Sequence, residues 1–314
     1  MERAWELRFA SVLTQPAPVT RGLVLSVLIV FALIHVVALP LHVGTWSPGG
    51  PEFFFVLMVV GAKVNALIDS GELWRLFAAI WLHASLLHLF LNAMALHYLG
   101  RMVENILGRR AFITVFLASG LMGSVCSYWF SQEPSVGASG AIFGLLGAAA
   151  GYGVVNRKRI PQRLKRFLVV SPLAWIALNL GISLLIPNID LAAHSGGLVL
   201  GFVVAPLMGD KILVRPSLIP HKLHRLIGVA LVLGALVGVG FMFPRLLGQT
   251  PEISTEVRKE AIEQRVFSVP RRWRMGTLVH GRCVDKAGVE GEGAVKAPHS
   301  EVCFEDPYQA VLFV

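Results

Sequence analysis

Residues 136–144 read VGASGAIFG, and they mark the point where a polar loop, 131–135, becomes an apolar helix. A single small hydroxyl residue, Ser139, lies here among glycines. Glycines on both sides let backbone groups approach a reacting centre and let a neighbouring helix pack closely. The stretch therefore predicts a nucleophilic serine, provided that the rest of the chain supplies a base, an oxyanion site and a reason to exclude bulk water.

The composition indicates a polytopic membrane protein. Of the 314 residues, 55% are hydrophobic and only 15% are charged, and the mean hydropathy is +0.66. A soluble domain cannot bury so much apolar surface, whereas uncharged runs near ~18 residues are typical of membrane-spanning helices. The predicted spans are 23–41, 82–99, 111–130, 139–155, 167–186, 191–208 and 226–243. A shorter run, 53–60, predicts an interfacial or re-entrant piece of the long first loop.

The distribution of Lys and Arg predicts the orientation of the spans. The net charge of +9 comes from basic residues clustered in short connections, which favours topology signals over nucleic-acid binding. Four segments rich in Lys and Arg alternate with three that are poor in these residues. Basic segments lie mostly on the cytoplasmic side, so we expect a cytoplasmic N-terminus and, after an odd number of spans, an external tail. The predicted division begins with a cytoplasmic N-terminal segment (1–20) and a six-helix core (21–210). A basic cytoplasmic connection (211–225), a seventh transmembrane helix (226–243) and an extracytoplasmic tail (244–314) follow.

The sequence contains no motif for a metal or cofactor, and it leaves more than one structure possible for the tail. No C-x-x-C, H-E-x-x-H, P-loop or G-x-G-x-x-G motif occurs in the sequence, so we expect neither a metal nor another cofactor. In the tail, 252–264 could form a helix, and the Gly-rich remainder is either a small domain or partly disordered. Cys283 and Cys303 could pair if the outside is oxidising, while Cys126 is interpreted as a buried membrane residue.

Four polar side chains lie inside the predicted spans and require an explanation. Placing an ionised group in a membrane helix costs roughly 2.5–3.5 kcal/mol of insertion free energy. His88 and Asn92 are four residues apart and share a helix face. Ser139 begins the fourth span and His194 lies near the start of the sixth. The second, fourth and sixth spans all run from outside to inside. All four side chains are therefore predicted in the outer half of the membrane.

Pairs of glycines predict how two of these helices meet. A lone membrane serine usually bonds to its own helix, and a lone histidine is often structural. Small residues four apart, however, let helices approach closely, which would bring Ser139 and His194 within side-chain reach. The pairs are Gly140 and Gly144, Gly147 and Gly151, and Gly197 and Gly201.

Across roughly residues 20–210 the chain resembles the rhomboid family of intramembrane serine proteases. The resemblance depends on the order of short motifs along the predicted helices. They are GELWR at 71–75, His83, His88, Asn92, YLG at 98–100, Glu104, GASG at 137–140, AH at 193–194, Gly197 and Gly201.

The resemblance implies a Ser–His dyad without a catalytic carboxylate. Ser139 would be the nucleophile, and His194 the general base and later the acid for the leaving amine. The side chains of His88 and Asn92, with the backbone N–H of Ser139, would form the oxyanion hole. Phe143 lies one turn after Ser139, where related proteins often carry Tyr, and is expected to pack against the imidazole. The other residues with expected supporting roles are Gly137, Gly140, Gly197, His83, Trp74, Arg75 and Glu104.

The sequence thus predicts an all-α membrane bundle that hydrolyses peptide bonds in or beside transmembrane segments of other membrane proteins, in a bacterial inner membrane. The expected partners are those substrates and the lipid bilayer, and the oligomeric state is left open. One alternative is a catalytically inactive relative that binds membrane-protein clients. A solute transporter is less favoured, because no inverted repeat is visible. His35, His42 and His97 are interpreted as interfacial or packing residues, and the cluster 53–55 as a membrane anchor.

Overall fold

The computed structural model describes the helical part of the chain and four segments of the tail. The described residues are 11–12, 14–38, 51–160, 165–185, 189–211, 216–246, 274–279, 282–285, 302–305 and 311–313. The helices are α1 (Pro18–Ala38), α2 (Pro51–Val60), α3 (Asn65–Asp69), α4 (Arg75–Ala78), α5 (Leu86–Leu107), α6 (Arg109–Phe130), α7 (Ser139–Val155), α8 (Ser171–Leu185), α9 (Leu191–Val204) and α10 (His221–Leu246). Short 3-10 turns follow α4 and α9, and a π-helical turn leads into α8.

The chain is an integral membrane protein with several apolar helices. Among the described residues, three helices are long and apolar enough to cross a membrane: Pro18–Val36, Arg109–Phe130 and His221–Pro244. A fourth crossing results if the bent pair Arg75–Trp81 and Leu86–Leu107 counts as one span. Helices α7 and α9 are apolar but have only 17 and 14 residues. At ~1.5 Å per residue both helices are shorter than a ~30 Å hydrocarbon core.

Helix α5 begins and ends later than the second predicted span, 82–99. Helix α5 begins at Leu86 because the Ser85 hydroxyl accepts a hydrogen bond from the backbone N–H of His88 at 3.1 Å. It continues to Leu107, and the polar Glu104 in its last turn is buried against another helix. Before α5 the chain bends by 91°.

Glu104 connects α5 to the start of α1. Its carboxylate accepts hydrogen bonds from the backbone N–H groups of Val19 and Thr20 at 3.2 and 2.8 Å, and from the Thr20 hydroxyl at 2.7 Å. The first N–H groups of a helix have no intrahelical partner and carry partial positive charge. Glu104 satisfies them from a neighbouring helix and thereby fixes the first turn of α1.

The run 53–60 is a helix packed inside the protein, so the interpretation of Phe53 as a membrane anchor is wrong. Phe53 is only 1% exposed. Its ring lies 5.9 Å from that of Phe31 and 4.6 Å from that of His35. The packing role predicted for His35 is therefore confirmed, whereas the side chains of Phe54 and Phe55, and all of His42, lie outside the described residues.

Arg75 joins α2 to α4 through a fully buried guanidinium. Its Nη1 donates to the carbonyls of Met58 and Ala62 at 2.6 and 3.0 Å, and its Nε donates to the Glu72 carboxylate at 2.6 Å. The guanidinium also stacks over the Trp74 ring, 4.9 Å from the ring centroid. Arginine suits this position because its planar fork donates several hydrogen bonds at once.

Helix α10 packs against the same part of the first loop. A Cβ on Gly234 would lie 2.6 Å from the Phe77 ring, and one on Gly238 would lie 2.9 Å from the Cβ of Phe77. One turn further, Phe241 stacks on Trp74 with the ring centroids 5.7 Å apart. The seventh predicted span therefore packs on the short helix α4 and supports the first loop from the side.

Lys63 ties the first loop to the loop that precedes Ser139. Its Nζ donates to the carbonyls of Ser131 and Glu133 at 2.8 and 3.0 Å. The backbone of Lys63 also exchanges two 3.0 Å hydrogen bonds with Ser135. Burial lowers the pKa of Lys63 from its ordinary value of 10.5 to about 8, although the nearby Asp190 and Glu133 carboxylates act in the opposite direction.

This lowered pKa predicts that raising the pH stabilises the fold relative to a Lys63→Met variant. Between pH 8 and 10.5 the unfolded chain holds a proton on Lys63 that the folded chain has released. The free energy of unfolding should therefore rise with pH in that window, by at most ~1.4 kcal/mol per pH unit. Denaturation of both proteins in detergent at several pH values measures the effect. A difference between them that does not change with pH would contradict it.

The tail adds strands to an otherwise helical structure. Four short strands form an antiparallel sheet in the order β2-β1-β3-β4. They are β1 (Arg274–Val279), β2 (Arg282–Asp285), β3 (Val302–Glu305) and β4 (Val311–Phe313). The all-α prediction therefore holds for the described helical part and not for the tail. Cys283 and Cys303 lie on the strands on either side of β1, and their pairing stays a prediction, while 252–264 lies outside the described residues.

Candidate active site

Helices α7 and α9 are in backbone contact at their glycines. A Cβ on Gly197 would lie 1.9 Å from the carbonyl oxygen of Gly140, and one on Gly201 would lie 1.9 Å from that of Gly144. No other residue type fits at such distances without moving the helices apart. This contact sets the separation between the first turns of α7 and α9.

The close approach brings Ser139 and His194 together. Ser139 is the first residue of α7 and is half-buried, whereas His194 lies in the first turn of α9 and is only 8% exposed. The Ser139 Oγ and the His194 Nε2 are 2.9 Å apart. One turn along α7, the Phe143 ring stacks on the imidazole with centroids 4.1 Å apart and planes at 13°. This stacking fixes the plane of the ring that faces the hydroxyl.

His88 presents an N–H group beside Ser139. The backbone N–H of Ala84 donates to its Nδ1 at 3.4 Å, which leaves the proton of a neutral imidazole on Nε2. Gly137 has a φ of +129°, and a Cβ there would lie 2.9 Å from that Nε2 and 3.7 Å from the Ser139 Oγ. Glycine is therefore required at 137 both by the backbone conformation and by the imidazole.

Asn92 lies one turn after His88 and is buried. Its Nδ2 donates to the backbone carbonyl of His88 at 2.9 Å. A primary amide has two N–H groups, so this bond orients the side chain and leaves a second donor. The role of Asn92 in an oxyanion hole stays a prediction.

The other residues with predicted supporting roles fall into two groups. His83 lies at the bend before α5, and its ring meets that of His88 edge-on with centroids 5.2 Å apart. His83 also bonds the Trp81 carbonyl through Nδ1, at 3.3 Å. Away from the dyad, Trp74, Arg75 and Glu104 make their contacts with the first loop, α10 and α1, as described above.

Two residues next to the site are absent from the sequence-based prediction. Asp190 precedes α9, and its Oδ1 accepts from the backbone N–H of Ala193 at 2.9 Å. Its Oδ2 accepts from the Ser127 hydroxyl on α6. An aspartate just before an apolar helix is a common N-cap signal and could have identified Asp190. No local pattern indicates Ser127, because its contact is 63 residues distant in sequence.

Comparison with known proteins gives a consistent assignment. The family model described as "Rhomboid domain" matches residues 70–211. The chain is 42% identical over 161 residues to "Rhomboid protease GluP" of Bacillus subtilis, covering 51% of this chain and 31% of that protein. It is 40% identical over 169 residues to "RHOMBOID-like protein 2" of Arabidopsis thaliana, covering 54% and 51%. It is 30% identical over 188 residues to "Rhomboid-like protease 1" of Toxoplasma gondii, covering 57% and 62%.

The similarity covers only part of each relative, because the matched stretch spans between 31% and 62% of the length of these three proteins. The matched stretch includes the bend before α5, the serine that begins α7 and the histidine in the first turn of α9. Those are the elements that form the site described above. Residues 70–211 of the chain are therefore a rhomboid domain.

Proposed function

We propose that this chain is an intramembrane serine endopeptidase that hydrolyses peptide bonds in or near the transmembrane segments of other membrane proteins. The observation that carries the proposal is the 2.9 Å contact between the Ser139 Oγ and the His194 Nε2. A serine hydroxyl is a weak nucleophile unless a base lies within hydrogen-bond reach. Homology to rhomboid serine proteases supports the same reaction.

The reaction follows from this pair. The Ser139 Oγ attacks the scissile carbonyl carbon while its proton moves to the Nε2 of His194. When the tetrahedral intermediate collapses, His194 gives the proton to the leaving amine and an acyl ester remains on Ser139. A water molecule then attacks the ester with His194 as the base, which releases the carboxylic acid product and restores the serine.

The oxyanion of the intermediate needs donors that are already in place. The His88 Nε2–H beside Gly137, the second amide N–H of Asn92 and the backbone N–H of Ser139 are the proposed set. The N–H of Ser139 belongs to the first turn of α7, where no intrahelical partner is required. Such fixed donors are often the largest single contribution to transition-state stabilisation.

Accordingly, we expect His88→Ala and Asn92→Ala each to lower kcat by about 10²- to 10³-fold, as removal of one oxyanion donor typically does. The KM should change much less, because the donors act mainly on the charge that develops in the transition state. His97→Ala is the matched control, since His97 is on the same helix and packs on Tyr98. A kcat in either variant equal to that of the control would remove that side chain from the oxyanion hole.

The proposed topology follows the distribution of charge along the chain. It has seven spans, a cytoplasmic N-terminus, an external tail and a location in a bacterial inner membrane.

Substrates would enter from the bilayer between α5 and α8, which both pack on α7. The two helices also expose large apolar side chains, among them Phe90 and Leu91 on α5 and Trp175 and Leu178 on α8.

A single-span reporter protein tests the proposed function. Its transmembrane segment should contain Gly, Ser or Pro near the expected cut, because backbone amides in an intact helix are shielded by their own hydrogen bonds. Purified wild-type protein in liposomes should cut the reporter into two fragments, and a chelator should have no effect. The Ser139→Ala variant should leave the reporter intact. Cleavage that persists in Ser139→Ala would refute the mechanism, and binding without cleavage by the wild type would favour a client-binding scaffold instead.

A further inference from the structure

The start of α9 is held by a side chain with no part in the proposed dyad. Asp190 is the N-cap of α9: its Oδ1 accepts from the Ala193 N–H at 2.9 Å, and its backbone carbonyl accepts from the N–H of His194 at 3.1 Å. An N-cap residue determines at which residue a helix begins and therefore the direction of every side chain in the first turn. The first turn of α9 contains His194.

The second carboxylate oxygen of Asp190 reaches another helix. Its Oδ2 accepts a hydrogen bond from the hydroxyl of Ser127, a fully buried residue in the last turn of α6. The same region of α6 is in close contact with α9, because a Cβ on Gly123 would lie 2.8 Å from the carbonyl oxygen of Ala193. Ala193, the residue before His194, is therefore held by its contact with the backbone of α6. Asp190, the cap of α9, is held by Ser127.

The charge of Asp190 has a nearby counterpart. The Asp190 carboxylate acts on Lys63 and partly offsets the burial that lowers the pKa of that amine. Lys63 itself binds the carbonyls of Ser131 and Glu133, in the loop that leads to Ser139. The cap of α9 thus lies next to the segment that positions the nucleophile, and both halves of the dyad depend on neighbouring contacts.

We propose that Asp190 is a positioning residue for the proposed reaction: by capping α9 and binding Ser127, it holds the His194 imidazole at the depth and angle at which Nε2 meets the Ser139 hydroxyl. This inference rests on the proposed function. A displacement of catalytic groups by about 1 Å can cost ~10²-fold in rate. Without the Asp190 carboxylate, the N–H of Ala193 in the first turn of α9 loses its acceptor, and the position of His194 is no longer fixed.

The test compares Asp190→Ala, Asp190→Asn and Ser127→Ala in the reporter assay, with kcat and KM measured separately. Asp190→Ala should lower kcat about 10- to 100-fold with less than a ~3-fold change in KM, because substrate contacts remain while the base is misplaced. Asp190→Asn should stay within ~3-fold of the wild type, because asparagine is an equally good N-cap. Ser127→Ala should lie between the two.

A matched control comes from the adjacent residue of α6. The hydroxyl of Tyr128 donates to Asp69 in the same way, but this bond is exposed and lies on the first loop. Asp69→Ala should therefore leave kcat unchanged. The rate at which a fluorophosphonate labels Ser139 should fall in Asp190→Ala in parallel with kcat, at a temperature where every variant is folded.

The possible outcomes separate this inference from the proposed function. If the wild-type protein does not cut the reporter, the proposed function fails. If the wild type cuts and Asp190→Ala has an unchanged kcat, the positioning role is overturned. It is equally overturned if Asp190→Asn is as slow as Asp190→Ala, because the negative charge and not the cap would then matter.

Discussion

Replacing His194 by alanine should lower kcat by on the order of 10⁴-fold or more, the scale seen when a member of a serine-protease catalytic unit is removed. The reason is that the Ser139 hydroxyl, 2.9 Å from the His194 Nε2, would have no other assigned acceptor for its proton. The reporter assay measures the loss. Labelling of Ser139 by a fluorophosphonate should be lost in parallel, since it requires the same activated hydroxyl.

Ser195→Ala is the control for this variant. Ser195 is the next residue of α9 and has no role in the proposed reaction, so its removal should leave kcat near the wild-type value. Combining His194→Ala with Ser139→Ala should add almost nothing, because residues that act as a unit are strongly non-additive. A His194→Ala protein that retains a tenth of the wild-type kcat would show that another group takes the proton.

Substituting Gly201 by alanine should lower both the activity and the stability. The new Cβ would lie 1.9 Å from the backbone oxygen of Gly144, and backbone cannot move aside as a flexible side chain can. Helices α7 and α9 must therefore separate, which moves Ser139 away from His194. We expect kcat to fall at least ~100-fold, because misplacement of the reacting groups by about 1 Å is enough. The overpacked interface should also lower the free energy of unfolding by ~1–3 kcal/mol.

Gly240→Ala is a closely matched control for Gly201→Ala. Gly240 also lies inside an apolar helix, α10, but a Cβ there would have no atom within 4 Å. That substitution should leave kcat unchanged and the stability unchanged or slightly increased, since alanine is the better helix former. Equal effects of the two variants would argue against the close α7–α9 contact.

The sequence was informative where the signal is short-range and periodic. The apolar run 139–155 has the same bounds as α7, because Ser139 and the polar loop before it mark the start of the helix. The glycine pairs correctly indicated which helices approach, because only small residues allow backbone contact. The juxtaposition of Ser139 with His194 follows from those two features, and the geometry agrees with it.

The parts that could not be predicted depend on contacts between distant segments. Glu104 reads as a polar residue beyond a membrane span, although its carboxylate is buried by bonds to Val19 and Thr20, 85 and 84 residues away. Phe53 lies in an apolar run too short to distinguish lipid from protein as its surroundings. Likewise, Lys63 appears in the sequence as a loop charge, although it binds carbonyls 68 and 70 residues away.

The packing of α10 on Phe77 and of Glu104 on the first turn of α1 has a consequence for where the protein can be cut. Both α1 and α10 lie outside residues 70–211, the part that the family model matches. An excised 70–211 fragment would leave the Glu104 carboxylate buried without its donors and the Phe77 ring uncovered. The smallest autonomous piece of this protein is therefore expected to be larger than residues 70–211, and domain-trimming for expression should retain both flanking helices.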